Sequence, residues 1–227
     1  MNLTAHVLTN MIELLFLIYG DCAKFMMTVK RRFQCQAYQY LTDQKLKSFL
    51  DTNQLARERL CAAVLSLDGR FINVQLQHPR GGPDGSKDII AKDKHEQIVH
   101  AAVGFANQAT DTEEHRKKVD KKFRDDFYKI INKNDKPKIF VFFTNVNLTI
   151  SKKNELVKFA TDKGMFLCDI FDRERIRAIL DSPDGFSARY QYLQITLSEA
   201  EQATFFARIF ICIVDIIYTV QSENNQF

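Results

Sequence analysis

Five consecutive apolar residues, Ile139-Phe140-Val141-Phe142-Phe143, lie between two segments of helical periodicity, and no other feature limits the possible folds as strongly. A strand with one face in water alternates apolar and polar residues. A run with no polar position is buried on both faces, as in the parallel sheets of α/β proteins. The same argument makes these phenylalanines core residues and not a platform for stacking bases. The flanks agree. Upstream, Asp111 to Asn134 carries Val119, Phe123, Phe127 and Ile130 on one helical stripe. Downstream, Ser151 to Lys163 reads as a helix closed by Gly164, Phe166 to Ile170 as a strand, and Arg173 to Leu180 as a helix stopped by Pro183. Strand, helix, strand implies parallel pairing through a right-handed crossover.

The upstream half reads differently. Asp43 to Leu67 is expected to be helix in two pieces, with Asn53 capping the second. Arg70 to Gln77 alternates Phe71, Ile72, Val74 and Leu76 with polar residues. Asp88 to Ala91 and Ile98 to Phe105 follow as short strands joined by polar turns, which suggests an antiparallel meander. Together the elements predict an α/β fold, a mixed central sheet flanked by helices.

At 227 residues the chain is long enough for one good core with extensions. A formal charge of +4 permits a polyanionic partner without requiring one. Its five cysteines are scattered with no CxxC pair, so the sequence implies neither a disulfide framework nor a zinc site and suits a reducing cytoplasm. The apolar run Met11 to Tyr19 is shorter than the ~20 residues of a membrane span. It contains Glu13, and no lysine or arginine precedes it, which argues against a signal peptide. Met26 and Met27 precede Lys30-Arg31-Arg32, as expected if translation starts there. Phe205 to Val220 is apolar but holds Arg208 and Asp215, and a charge near the centre of a span costs ~2.5 to 3.5 kcal/mol. A buried terminal element, or the stub of a longer protein, fits it better than a membrane anchor. The expected organisation is an extension over 1–27, a domain over 28–203 and an apolar tail over 204–227.

The chemistry-bearing stretch is Gly81-Gly82-Pro83-Asp84-Gly85-Ser86-Lys87-Asp88, which runs directly into Ile89-Ile90-Ala91. Glycines allow a sharp bend and close approach of a ligand, and Pro83 stiffens the entry. Asp84 and Asp88 are thereby placed at the mouth of a strand, where carboxylate oxygens suit magnesium or manganese. The plainer alternative is a tight loop whose aspartates bond their own backbone.

This turn resembles the GxDGGxD turn of Mrr-type restriction endonucleases. The order Phe140-Val141-Phe142-Phe143-Thr144-Asn145, helix, Gly164-Met165, then a strand reaching Asp169 resembles that family's second half. The likeness covers roughly residues 55–181. It is closer to an uncharacterised bacterial group of restriction-endonuclease-like domains with HPRGGPDG, FFTN and a tail like Leu197-Ser198-Glu199-Ala200-Glu201-Gln202-Ala203. The resemblance implies a PD-(D/E)XK nuclease fold and a Mg²⁺- or Mn²⁺-dependent hydrolase of DNA phosphodiesters, acting in defence against foreign DNA. It implies Asp88 as first metal ligand, Asp84 as its neighbouring alternative, and Glu58 as an extra carboxylate. A homodimer and a fused or associated effector domain are also compatible with it.

The sequence departs from that pattern on the next strand. An acid or glutamine, one residue, then lysine should stand there, and the chain has Ala101-Ala102-Val103-Gly104-Phe105. A lysine would then have to come from the following helix, which carries Lys117, Lys118, Lys121 and Lys122; Lys117 and Lys121 are the expected catalytic pair. Glu96 or His100 would supply the missing ligand. Arg116, Lys117, Lys118, Lys121, Lys122 and Arg124 also form a candidate nucleic-acid-binding face. Against that, Glu113, Glu114, Asp120, Asp125 and Asp126 interleave with them, as on a solvated, ion-paired helix. The second functional reading is a catalytically inactive copy of the fold that senses nucleic acid or binds protein. The remaining histidines, His6, His78, His95 and His115, show no metal-binding spacing, and Cys61 and Cys168 fall on apolar faces.

Overall fold

Asn53 opens its helix as predicted, its side-chain oxygen accepting the Ala56 amide at 2.9 Å. The computed structural model describes residues 34–77, 88–132 and 137–207, with 209, 211 and 213. The apolar run 11–19, the expected boundary at residue 28, Asp84 with its turn and most of the tail lie outside the described residues. Tyr38–Glu201 is one compact unit. In chain order the elements are α1 (Gln34–Ser48), α2 (Gln54–Leu67), β1 (Phe71–Leu76), β2 (Ile89–Asp93), β3 (Ile98–Val103), α3 (Glu113–Ile131), β4 (Ile139–Phe143), α4 (Ile150–Asp162), β5 (Leu167–Phe171), α5 (Arg173–Leu180) and α6 (Phe186–Leu193).

The sheet runs β1-β2-β3-β4-β5, antiparallel from β1 to β3 and parallel from β3 to β5. The chain is therefore α/β with a mixed sheet flanked by helices, as the sequence predicts. All five residues of β4 are buried, and they divide between two cores. Ile139, Val141 and Phe143 join Val99, Ala101 and Val103 against Leu60, Cys61, Val64 and Leu65 of α2 and Ile176 and Leu180 of α5. Phe140 and Phe142 join Ala102 and Ile170 against Val119, Phe123, Phe127 and Ile130 of α3 and Leu156 and Ala160 of α4. Phe123 meets the edges of Phe140 and Phe142 at centroid distances of 5.4 and 5.3 Å, the geometry that aromatic quadrupoles prefer.

Local signals fix several boundaries. Gly164, at φ 92°, ends α4: its amide bonds Thr161 O at 2.9 Å, and Met165 N bonds Ala160 O at 3.1 Å. At the edge, β1 shifts register between Ile72 and Gln75 around Asn73 at φ 52°, a bulge that interrupts an otherwise pairable edge. Arg70, just ahead of β1, bonds Asp169 of β5 at 2.6 Å, and Arg175 bonds the same carboxylate at 2.6 Å. The two outermost strands are thus clasped across the α2 face. The Ser198–Glu201 segment is a capping box: Glu201 N bonds Ser198 Oγ at 3.2 Å and Ser198 N bonds Glu201 Oε2 at 2.9 Å.

Some expectations needed correction in extent. α1 starts at Gln34, ahead of Asp43, β3 stops at Val103, and β5 is shifted one residue to Leu167–Phe171. The helix α6 was not anticipated, because Gly185 starts it without a side-chain cap. Among the described residues no helix is long and apolar enough to cross a membrane.

Candidate functional site

Asp88 immediately precedes β2, beside the end of β3. Its amide donates to Ala101 O at 3.1 Å, and its Oδ2 accepts the Val103 amide at 2.6 Å. The carboxylate is thereby tied to the strand on which the acid and lysine of a nuclease motif would stand. Burial raises its pKa from the ordinary 3.8 to about 6; the Val103 amide works against the rise. The carboxylates of Glu58 and Asp126 add to the rise, and the Lys122 ammonium reduces it. Two other acids and a lysine, drawn from α2 and α3, thus lie within electrostatic range of Asp88.

Glu58 is half-buried on α2, where Gln54 Nε2 donates to its Oε1 at 2.8 Å. Lys122 is one helical turn before Asp126, and its Nζ is 2.9 Å from both carboxylate oxygens. Asp126 is fully buried, whereas the Lys122 side chain keeps 47% of its surface exposed. Lys129 is a more distant partner of Asp126, at 3.9 Å. Asp126 was missed in the sequence, although a signal existed. It is spaced i+7 from Val119, i+3 from Phe123 and i−4 from Ile130, an acid on the buried stripe.

The structure thus brings Asp88, Glu58 and Lys122 together. Asp84 lies outside the described residues. Lys117 and Lys121 are exposed and turned about 140° and about 100° around α3 from Lys122. Lys117 lines a surface groove with Arg116, Asp120, Lys152 and Glu155. Arg124 pairs with Asp120 and Glu155, Lys118 with Glu114, and Arg116 donates to Asn147 O at 3.3 Å. Glu96 is in the β2–β3 turn, bonded to Lys92, at the opposite end of these strands from Asp88. His100 is buried on β3, in register with Ile90 and Phe140. Among the described residues no group of acids, histidines or cysteines large enough to hold a metal by itself is present. Cys61 and Cys168 are free and buried, and burial pushes both thiols up, Cys168 to about 12.

A second polar cluster occupies the carboxyl ends of the parallel strands, the usual ligand position in open α/β sheets. Here protein groups fill it. Arg173, 2% exposed, donates to Asp43 at 2.6 Å, Asn145 O at 2.9 Å and Asp111 at 2.5 Å. Asn145 Nδ2 donates to Leu46 O and Ala106 O, while its Oδ1 accepts the Ala106 amide. Asn145 therefore belongs to a lock between α1 and the strand ends.

The Asp88 environment has a consequence for stability that is independent of function. An acid whose folded pKa is raised contributes stability below its ordinary pKa, and that contribution is lost as pH rises through the folded value. Asp88→Asn, which keeps an acceptor for Val103, is expected to stabilise the fold by about 1–3 kcal/mol above about pH 7 and to leave it unchanged below about pH 4. Urea unfolding at the two pH values measures this directly. Comparison with models of protein families, with characterised proteins and with solved structures found no match.

Proposed function

We propose that this domain hydrolyses DNA phosphodiesters with a divalent ion, Mg²⁺ or Mn²⁺, at Asp88, in the manner of the Mrr-type enzymes that its glycine-aspartate turn resembles. The observation that carries this reading is the half-buried Asp88 carboxylate, bonded to the Val103 amide at the end of β3, with Glu58, Asp126 and Lys122 acting on it. A carboxylate whose pKa is raised by desolvation and by specific neighbouring charges is a functional-site candidate. The donors suit a hard cation in kind. Because the described residues do not complete a cage, Asp88 and Glu58 would hold the ion with Asp84, four positions earlier in the sequence. Such an ion, when bound, polarises the phosphate and lowers the pKa of an attacking water. The chain's own part is to concentrate negative charge at that point and to present one ammonium, that of Lys122, to a phosphate oxygen. Further lysines of α3 would track the backbone as sequence-independent, salt-sensitive contacts. Two free, buried thiols suit the cytoplasm, and defence against foreign DNA is the role this activity would serve.

A second reading, a binding module without hydrolysis, draws its support from Ala101-Ala102-Val103-Gly104-Phe105, which holds neither the acid nor the lysine of the family pattern. Incubation of plasmid, linear duplex and single-stranded DNA with Mg²⁺ or Mn²⁺ separates the two. Cutting of any substrate that stops with chelator supports the first reading. Absence of cutting, with binding that weakens steeply as salt rises, replaces it with the second.

A further inference from the structure

We propose that Asp126 is a positioning residue, which fixes the Lys122 ammonium beside the end of β3 so that it meets a phosphate oxygen of a substrate seated at Asp88. This rests on the phosphodiesterase reading above. Three observations support it, the first being where Asp126 stands. It is fully buried on the stripe formed by Val119, Phe123 and Ile130. An ion pair between this buried carboxylate and a half-exposed ammonium contributes little to stability compared with an apolar residue of similar size. A carboxylate here also sits within electrostatic range of the Asp88 carboxylate. Stability alone gives no reason for an acid at this position.

The second is the state of Lys122. Its Nζ is 2.9 Å from both Asp126 oxygens, yet nearly half of the side chain is exposed. An ammonium has three donors, so holding it from the buried side leaves donor capacity toward solvent, on the side a substrate must approach. The third is Gly104, the residue after Val103, whose amide binds Asp88. A Cβ at Gly104 would come 2.4 Å from Phe142 Cζ and 3.2 Å from Lys122 Cγ. The bare backbone makes room first for the Phe142 ring, and the lysine stem lies close beside it over the strand end. A lysine missing from the strand is thereby replaced from the helix above it, with a carboxylate one turn further on to hold it.

The test compares wild type with Lys122→Ala, Asp126→Asn and the double variant in steady-state cleavage, with Asp126→Glu in reserve should the amide fail to fold. Lys122→Ala is expected to lower kcat about a hundredfold. Asp126→Asn is expected to lower kcat about tenfold, with KM within about twofold. The double variant should be no slower than Lys122→Ala, because Asp126 acts only through that lysine. An unchanged kcat in Asp126→Asn, or effects that multiply in the double variant, overturns the proposal. A second readout works without turnover: the ¹⁵N-detected ammonium resonance of Lys122, assigned with Lys122→Arg, followed while a short DNA duplex is added with Ca²⁺. If wild type cuts nothing, the phosphodiesterase reading fails while the positioning role is still decided. A duplex-induced shift that disappears in Asp126→Asn sustains the role, and no shift in wild type overturns it.

Discussion

Asp88→Ala is expected to reduce metal-dependent DNA cleavage to background, and Asp88→Asn to do the same. The pair is informative because both substitutions remove the charge but only asparagine keeps the Val103 acceptor, so asparagine should be the more stable of the two. Alanine leaves the Val103 amide, which the carboxylate accepts at 2.6 Å, without its partner, a loss of about 1–3 kcal/mol. Asparagine keeps an acceptor and removes a charge that burial and the Glu58 and Asp126 carboxylates oppose, so it should stabilise the fold at neutral pH. A residue whose removal strengthens the fold while abolishing activity is held there for chemistry. If cleavage survives in Asp88→Asn, the ion is not held at Asp88. If cleavage tracks stability, lost in alanine and kept in asparagine, the role of Asp88 is structural.

Arg173→Ala carries the largest expected change in stability. The guanidinium joins Asp43 on α1, Asp111 ahead of α3 and the Asn145 carbonyl after β4. Removing one partner of a buried ion pair costs about 3–5 kcal/mol when the remaining charge stays dry. Here Asp43 and Asp111 keep 21% and 36% of their side-chain surface, so water can reach them. The expected loss is about 2–4 kcal/mol. Arg173→Lys should recover little of it, since an ammonium cannot reproduce the planar fork. Urea unfolding reads both variants. A loss below about 1 kcal/mol in Arg173→Ala would mean that the cluster at the strand ends is dispensable to the fold.

The elements that were legible in the sequence are those written in local chemistry. The unbroken run Ile139–Phe143 gave a two-faced buried strand, Asn53 a helix start and Gly164 a helix end, because periodicity and capping act over a few residues. α6 lacked such a signal: Gly185 offers no capping side chain. The candidate site was legible only in part. Asp88 stood out through the glycine turn, and Glu58 through the resemblance. The choice of Lys122 over Lys117 and Lys121 needed the rotation of α3 against the sheet, and runs of neighbouring lysines do not encode it. Asp126 looked like one of several solvated acids, although it shares the helical spacing of the buried Val119, Phe123 and Ile130. Glu96 looked close to Asp88 in sequence terms, but the hairpin carries it to the far end of the strands. The Arg173 lock joins residues up to 130 positions apart, a pairing set by topology alone.

The most direct test is calorimetric titration of Mn²⁺ into wild type and Asp88→Asn, without nucleic acid. Wild type is expected to bind saturably, and Asp88→Asn to lose the binding while remaining folded. Binding of equal strength in both proteins, or none in wild type, would contradict a divalent ion at Asp88 and with it the hydrolytic reading.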